Sequence, residues 1–451
     1  MSVRDVIEKN RELYIGWLVE ACSIPSLDGD PESLARMAHW VEDKMKMLGA
    51  EVERLVVPDA PEALLGRLGA GDRTLLIYDH YDVQPVDPID LWNTEPFKPE
   101  VIDGKLFARG AADNKGDLVA RFAGMHAWRE ANGEFPCSIK FLVEGEEETG
   151  SRSFEDITTK YAEELKADGC IWEGAGIDHA GRPEFVFGAK GLTYVELNLR
   201  GLSGDQHSSL AVVAPSPVWR MLEALATLRS PEGKVLIDGF YDDVVGPTEQ
   251  DEKLLEALPF EETEERERMG MDEFIGGVTG QDLKRAYYFN PSCNIAGIVS
   301  GFTQPNTSKT VLPAEIMVKI DMRLVPNQDP EDIYEKLRSH LDKRGYTDIE
   351  LKHYSMEHPV LSPSDSLVAT ASLEAAKGIF EHEPAVAPLM IGTGPMWPIA
   401  SKLGIPTVST AGVHRPDSMI HAPNENCRID DYLDIAEYTA AYLKTFSELD
   451  A

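Results

Sequence analysis

Four short apolar runs in this chain each break off into carboxylates or histidine, and this repetition constrains the fold more than any other feature. Leu75-Leu76-Ile77-Tyr78 leads into Asp79-His80-Tyr81-Asp82, and Phe107-Ala108 leads through Arg109-Gly110-Ala111-Ala112 to Asp113. Phe141-Leu142-Val143 leads into Glu144-Gly145-Glu146-Glu147-Glu148, and Cys170-Ile171-Trp172 into Glu173-Gly174. Apolar runs of this length read as buried strands. In open α/β sheets, functional groups gather outside the carboxyl ends of such strands. His80 and Asp82, two residues apart, can face one cleft. Taken singly, each piece has an ordinary structural explanation: His80 as a core histidine, Glu146 to Glu148 as a solvated charge run, Asp113 as a helix N-cap. Jointly they do not, because solvated charge runs do not follow buried strands four times over, flanked by glycines that let backbone crowd together. Carboxylates gathered in one crevice repel each other unless cations lie among them. A His/Asp/Glu set without thiolate suits zinc, and also manganese or cobalt.

The rest of the chain says where these strands belong. Asp30-Pro31 starts a helix, with Asp as N-cap and Pro in the first turn. Leu34, Met37, Val41, Met45 and Leu48 then recur at helical spacing up to Gly49. Residues 116–130 and 156–166 also read as helices, alternating with the strands, which predicts an α/β sheet covered on both faces. The pattern then changes. Val195, Leu197 and Leu199, and later Ile316, Val318, Ile320 and Met322, alternate with polar residues. Such half-exposed strands suit an open sheet with one wet face. With helical stretches over 218–228 and 330–343 they predict a separate α+β domain, in which 237–285 is an acid-rich helical excursion. A strand over 406–409 and a helix over 430–446 return to α/β character. A chain of 451 residues is too long for one ordinary core. The expected division is a first domain of residues 1–189 and 390–451 interrupted by a second of 190–389.

Composition removes several classes of partner. Lys and Arg number 43 against 78 Asp and Glu, a formal net charge of −35. A surface so negative disfavours nucleic acid and anionic membrane. The five cysteines, Cys22, Cys137, Cys170, Cys293 and Cys427, are scattered and form no C-x-x-C pair, which fits a reducing compartment. The first residues lack the apolar core of a signal peptide, and no apolar run approaches membrane-spanning length. A cytoplasmic protein without membrane or nucleic-acid partners is expected.

Three motifs in this order, His80-Tyr81-Asp82-Val83-Gln84-Pro85, Arg109 to Gly116 and Glu144 to Ser151, resemble the M20 family of metallopeptidases. The resemblance extends from Ile24-Pro25-Ser26 to His421-Ala422-Pro423-Asn424-Glu425, nearly the whole chain. It implies a two-domain α/β protein: a zinc-peptidase-like catalytic domain with an inserted α+β, ferredoxin-like lid and dimerisation domain. It further implies two divalent ions per chain, zinc first, with Asp113 bridging them. His80 and Glu173 would complete one site, and Glu148 and His421 the other, His421 being preferred to nearby His414. Asp82 would fix the ring of His80, and Glu147 would be the general base. The peptide bond after the bridging Asp is commonly cis in the family.

The middle domain adds matches to the carnosinase-like branch. Gly204-Asp205-Gln206-His207-Ser208-Ser209 resembles the lid motif whose histidine reaches the partner subunit's active site, although Ser209 stands where Gly is usual. Arg323 would bind a terminal carboxylate through its bidentate fork, with Thr310 and the Gly392-Thr393-Gly394 segment in the substrate pocket. The implied activity is hydrolysis of an amide bond in small substrates by a homodimeric dipeptidase. The alternative is a deacylase of N-acyl amino acids on the same architecture.

Overall fold

The structure is a computed structural model and describes residues 1–306 and 308–449. The chain forms two compact units. One comprises Met1–Gly188, Ser362–Pro388 and the chain from Pro395 onward; the other comprises Ala189–Leu361 and Leu389–Gly394.

The first unit is built on an eight-stranded mixed sheet in the order Glu51–Leu55, Ala63–Leu68, Ser138–Glu144, Thr74–His80, Gly169–Trp172, Thr407–Ser409, Glu184–Val186, Ala385–Ala387. Four neighbours in the middle, 138–144, 74–80, 169–172 and 407–409, run parallel, so their carboxyl ends emerge on one edge. These strands are apolar and buried on both faces, as covered parallel strands are. Helix Lys115–Asn132 packs against helix Ile429–Glu448. At their contact Gly124 is required by space: a Cβ there would lie 2.2 Å from the Ala436 carbonyl oxygen.

The expected boundary at residue 389 differs from what is found. Residues 362–388 belong with the first unit, because helix Leu367–Ala376 is tied to the 429–448 helix. Tyr442 and Tyr438 donate their hydroxyls to the carbonyls of Val368 and Ser372, each at 3.2 Å. The 367–376 helix is small and apolar on nearly every side, so its sequence carries no amphipathic contrast to mark its neighbours.

The second unit holds a four-stranded antiparallel sheet in the order Asn294–Ser300, Glu315–Leu324, Gly191–Arg200, Glu350–Glu357. Val195, Leu197, Leu199, Ile316, Val318 and Ile320 point to one face, where Met221 and Leu225 of helix Pro217–Leu225 and Ile333, Leu337 and Leu341 of helix Pro330–Lys343 complete the core. The acid-rich excursion contains helices Glu249–Ala257, Glu262–Met269 and Gly280–Phe289. The buried ammonium of Lys190 anchors its end by donating to the carbonyls of Tyr287 and Asn290 at 2.9 and 2.8 Å. Strand Asn294–Ser300 is an edge strand that leaves Ile295, Ile298 and Val299 exposed.

Candidate active site

The parallel strands deliver the polar clusters to one place. His80 ends its strand in register with Glu144, Glu147 and Glu148 follow on a short 3-10 turn, and Glu173 directly follows Trp172. The chain beyond Ser409 supplies His421 and Glu425. Two glycines make this crowding possible. A Cβ on Gly145 would lie 2.3 Å from the Tyr81 ring, and one on Gly174 would lie 2.5 Å from the Cα of Gly412.

Asp113 is not the N-cap of the 115–132 helix. Asn114 holds that position and makes no side-chain capping bond. The Asp113 carboxylate instead faces two histidines, and the Asp113-Asn114 peptide is cis. Its Oδ1 is 3.2 Å from His80 Nε2, and its Oδ2 is 3.0 Å from His421 Nε2. His80 Nε2 also lies 3.2 Å from Glu173 Oε2, and His421 Nε2 lies 3.2 Å from Glu148 Oε2. Two three-residue clusters therefore share one carboxylate, His80–Asp113–Glu173 and Asp113–Glu148–His421. Glu147 stands beside them, its Oε2 4.0 Å from His80 Nε2. His414 is in neither cluster; its ring packs against Gly176.

The electrostatics favour positive charge at both points. Burial works to lower the His80 pKa, but the carboxylates of Asp113, Asp82 and Glu173 outweigh it and the net shift is upward. Hydrogen bonds to the Asp113 and Glu148 carboxylates push His421 up to about 10. Burial alone would raise Asp113, yet the two histidines hold it below the usual carboxylate range. Glu147 is pushed upward by burial and then by the charge of Glu173, and Glu148 by burial. Each cluster offers one imidazole and two carboxylates with no thiolate, a donor set that fits a divalent cation.

Around the clusters lies a supporting layer, of which the sequence had singled out Asp82. Buried Asp82 accepts the Glu147 amide on Oδ1 at 3.2 Å and the Glu148 amide on Oδ2 at 3.0 Å, and its Oδ1 is 3.3 Å from His80 Nδ1. Trp172 Nε1 donates to Glu173 Oε1 at 2.9 Å. Glu425 is fully buried; it accepts the amides of Gly110, Ala112 and Asp113 and pairs with buried Arg109 at 2.7 Å, fixing the turn that presents Asp113. Asn114 and Arg121 both donate to buried Asp79. The Glu425 signal was within reach, since a lone Glu after His421-Ala422-Pro423-Asn424 complements the isolated Arg109. The others are bonds from Asp82 to backbone amides and side-chain pairs at Trp172–Glu173, Asn114–Asp79 and Arg121–Asp79, none of which has a periodic trace.

In the second unit, Arg323 Nη1 donates to Thr393 Oγ1 at 2.5 Å, and the Gly392 carbonyl accepts the Lys190 amide at 3.0 Å. Gly394 closes the same segment, whereas Thr310 is exposed. His207 is exposed, and its Nδ1 meets the hydroxyl and amide of Ser209 at 2.8 and 3.2 Å, so the residue replacing the usual Gly orients the ring. Asp329, Glu331 and His358 form a further group, its two carboxylates exposed and its histidine half-buried, with wider separations of 4.0 and 3.5 Å.

A pair of carboxylate–histidine clusters sharing one carboxylate at the carboxyl edge of a mixed α/β sheet defines a metal-dependent hydrolase. Residues 76–445 match the family model described as peptidase family M20/M25/M40, and the chain belongs to that family. It is 30% identical over 363 residues to the Cys-Gly metallodipeptidase dug1 of Schizosaccharomyces pombe, covering 75% of each chain. It is 27% identical to the Beta-Ala-His dipeptidase of Homo sapiens, covering 99% of this chain and 93% of that one. Among solved structures it resembles an M20 family metallo-carboxypeptidase, Sso-CP2, from Sulfolobus solfataricus, with 38% identity, a TM-score of 0.89 and coverage of 97% and 99%. No helix among the described residues is long and apolar enough to cross a membrane.

Proposed function

We propose that this protein is a dipeptidase that works with two divalent ions, zinc first and manganese or cobalt as alternatives. The observation that carries the reading is the Asp113 carboxylate, one oxygen toward His80 and Glu173 and the other toward His421 and Glu148, with Glu147 alongside. His80, Asp113 and Glu173 would hold one ion, and Asp113, Glu148 and His421 the other. Bound there, the ions supply carbonyl polarisation and a water of lowered pKa.

The chain's own residues do the rest. Glu147, whose pKa burial raises above the ordinary carboxylate value, takes a proton from the attacking water and returns it to the leaving amine. Asp82 holds the Glu147–Glu148 turn and the His80 ring. Arg323, steadied by Thr393, grips the substrate's terminal carboxylate, and Gly392 and Gly394 leave room beside it. Thr310 is assigned to the pocket by resemblance alone. His207 would act in the partner subunit's site. The exposed apolar edge at Ile295, Ile298 and Val299 supports a homodimer through the second unit; a monomer in sedimentation equilibrium would refute it. Five unpaired cysteines support a reducing, cytoplasmic setting, which fractionation of expressing cells tests.

The names of the curated relatives support dipeptides as substrates. Likeness to a metallo-carboxypeptidase favours a second reading, removal of single residues from longer peptides; N-acyl amino acids have less support. Hydrolysis profiling over dipeptides, longer peptides and N-acyl amino acids separates the three. Glu147→Gln is expected to retain both ions and lose most of its rate. A Glu147→Gln enzyme cleaving dipeptides at the wild-type rate would overturn the mechanism.

A further inference from the structure

Gln84 lies four residues beyond His80 on the segment that also carries Asp82. It is half-buried, and its amide nitrogen directs both hydrogens to one residue: Glu148 Oε2 at 3.0 Å and the Glu148 carbonyl at 3.1 Å. The same Oε2 is the oxygen that faces His421. With the Glu148 amide held by Asp82, this glutamate is fixed at three points. Glu173 in the other cluster is held differently, because Trp172 takes Oε1 and leaves Oε2 free to face His80. A carboxylate oxygen has two lone pairs, so Glu148 Oε2 can accept from Gln84 and still present one electron pair toward His421.

We propose that Gln84 is a positioning residue for the Asp113–Glu148–His421 cluster, holding Glu148 in the rotamer that completes it. The inference rests on the two-ion reading above. Gln84 touches neither Glu173 nor Glu147 in any bond seen among the described residues, so its effect is confined to one cluster. Partners of this kind around a ligand are worth about 10- to 100-fold in metal affinity.

The test is competition between metal-stripped full-length protein and a chromophoric chelator for Zn²⁺. Gln84→Met keeps the side-chain shape and removes the donor, and Gln84→Ala removes both. His421→Ala and His80→Ala identify which binding phase belongs to which cluster. Both Gln84 variants are expected to bind two ions, with the phase abolished by His421→Ala weakened about 10- to 100-fold and the other phase unchanged. Excess Zn²⁺ is expected to restore hydrolysis, which a merely structural defect would not allow. Unchanged affinity in both phases, or equal weakening of both, overturns the Gln84 assignment while leaving the two-ion reading intact. Uptake of a single ion by wild-type protein overturns the two-ion reading and this inference with it.

Discussion

Replacing Asp82 with Asn isolates what the buried carboxylate contributes beyond occupying space. Its two oxygens accept the amides of Glu147 and Glu148 at 3.2 and 3.0 Å, and one of them also lies 3.3 Å from the ring nitrogen of His80. Asn has the same outline but only one acceptor oxygen. Its NH₂ must therefore face either the Glu148 amide or the Glu147 amide together with the ring nitrogen, and at least one buried donor is left unmet. That costs about 1–3 kcal/mol, equivalent to about 5- to 150-fold in an equilibrium or a rate. The turn bearing Glu147 and Glu148 loosens, while the ligand atoms of His80, Asp113 and Glu173 all remain. Asp82→Asn is thus expected to bind two Zn²⁺ ions with affinity weakened about 10- to 100-fold and to hydrolyse substrate more slowly even at saturating metal. His80→Ala, which removes a donor atom, should lose one ion outright. Chelator competition on metal-stripped wild type, Asp82→Asn and His80→Ala measures the difference directly. Complete loss of an ion from Asp82→Asn, equal to that in His80→Ala, would make Asp82 a ligand and refute the division of roles.

Two further perturbations probe the frame of the site. Glu425→Gln sets an NH₂ among three backbone donors and leaves Arg109 buried without its counter-charge, so urea denaturation should register a loss of about 3–5 kcal/mol; a loss below about 1 kcal/mol contradicts the role. Glu184 tests the pH dependence. Burial, then the nearby Asp178 charge, pushes its carboxyl from the ordinary 4.5 up to about 7. Between those two values the folded state retains a proton that the unfolded state has lost, so this residue's contribution falls as pH rises through that window. Glu184→Gln should therefore be more stable than wild type by up to about 3 kcal/mol at pH 8 and equal to it at pH 4; a gain of the same size at both pH values would disprove the assignment.

The catalytic edge was legible because parallel strands end on one side of a sheet. Apolar runs at Leu75, Phe141 and Cys170 specified the strands, and the polar residues after them had to share an edge. Asp113 was legible only as a member of a motif. Its local signal, an acidic residue before a helix, pointed to a cap, whereas the helix starts one residue later with Asn114 at that position. His421 lies outside any strand or helix and shows no periodicity, so resemblance rather than pattern singled it out. The supporting bonds of Gln84 and Glu425 join residues 64 and more than 300 positions apart, and that of Trp172 joins two neighbouring side chains whose rotamers only the packed fold sets, so no sequence pattern displays them. The segment 362–388 was assigned to the other unit because its helix, mostly small and apolar, offers little contrast between its sides.

The strand Thr407–Ser409 lies between Gly169–Trp172 and Glu184–Val186, inside the sheet rather than at its margin. A ribosome that has finished residue 188 has therefore released a sheet with a slot still open in it. Nearly all of the second unit, 189–361, is synthesised as one continuous block before that slot can be filled, and domains fold as units while they emerge. The interrupted unit must wait with apolar strand edges uncovered, which makes this interval the point at which a nascent-chain chaperone would engage. The same wait keeps the growing polypeptide inert as a peptidase: until His421 and Glu425 have left the exit tunnel, no partial chain has the second cluster.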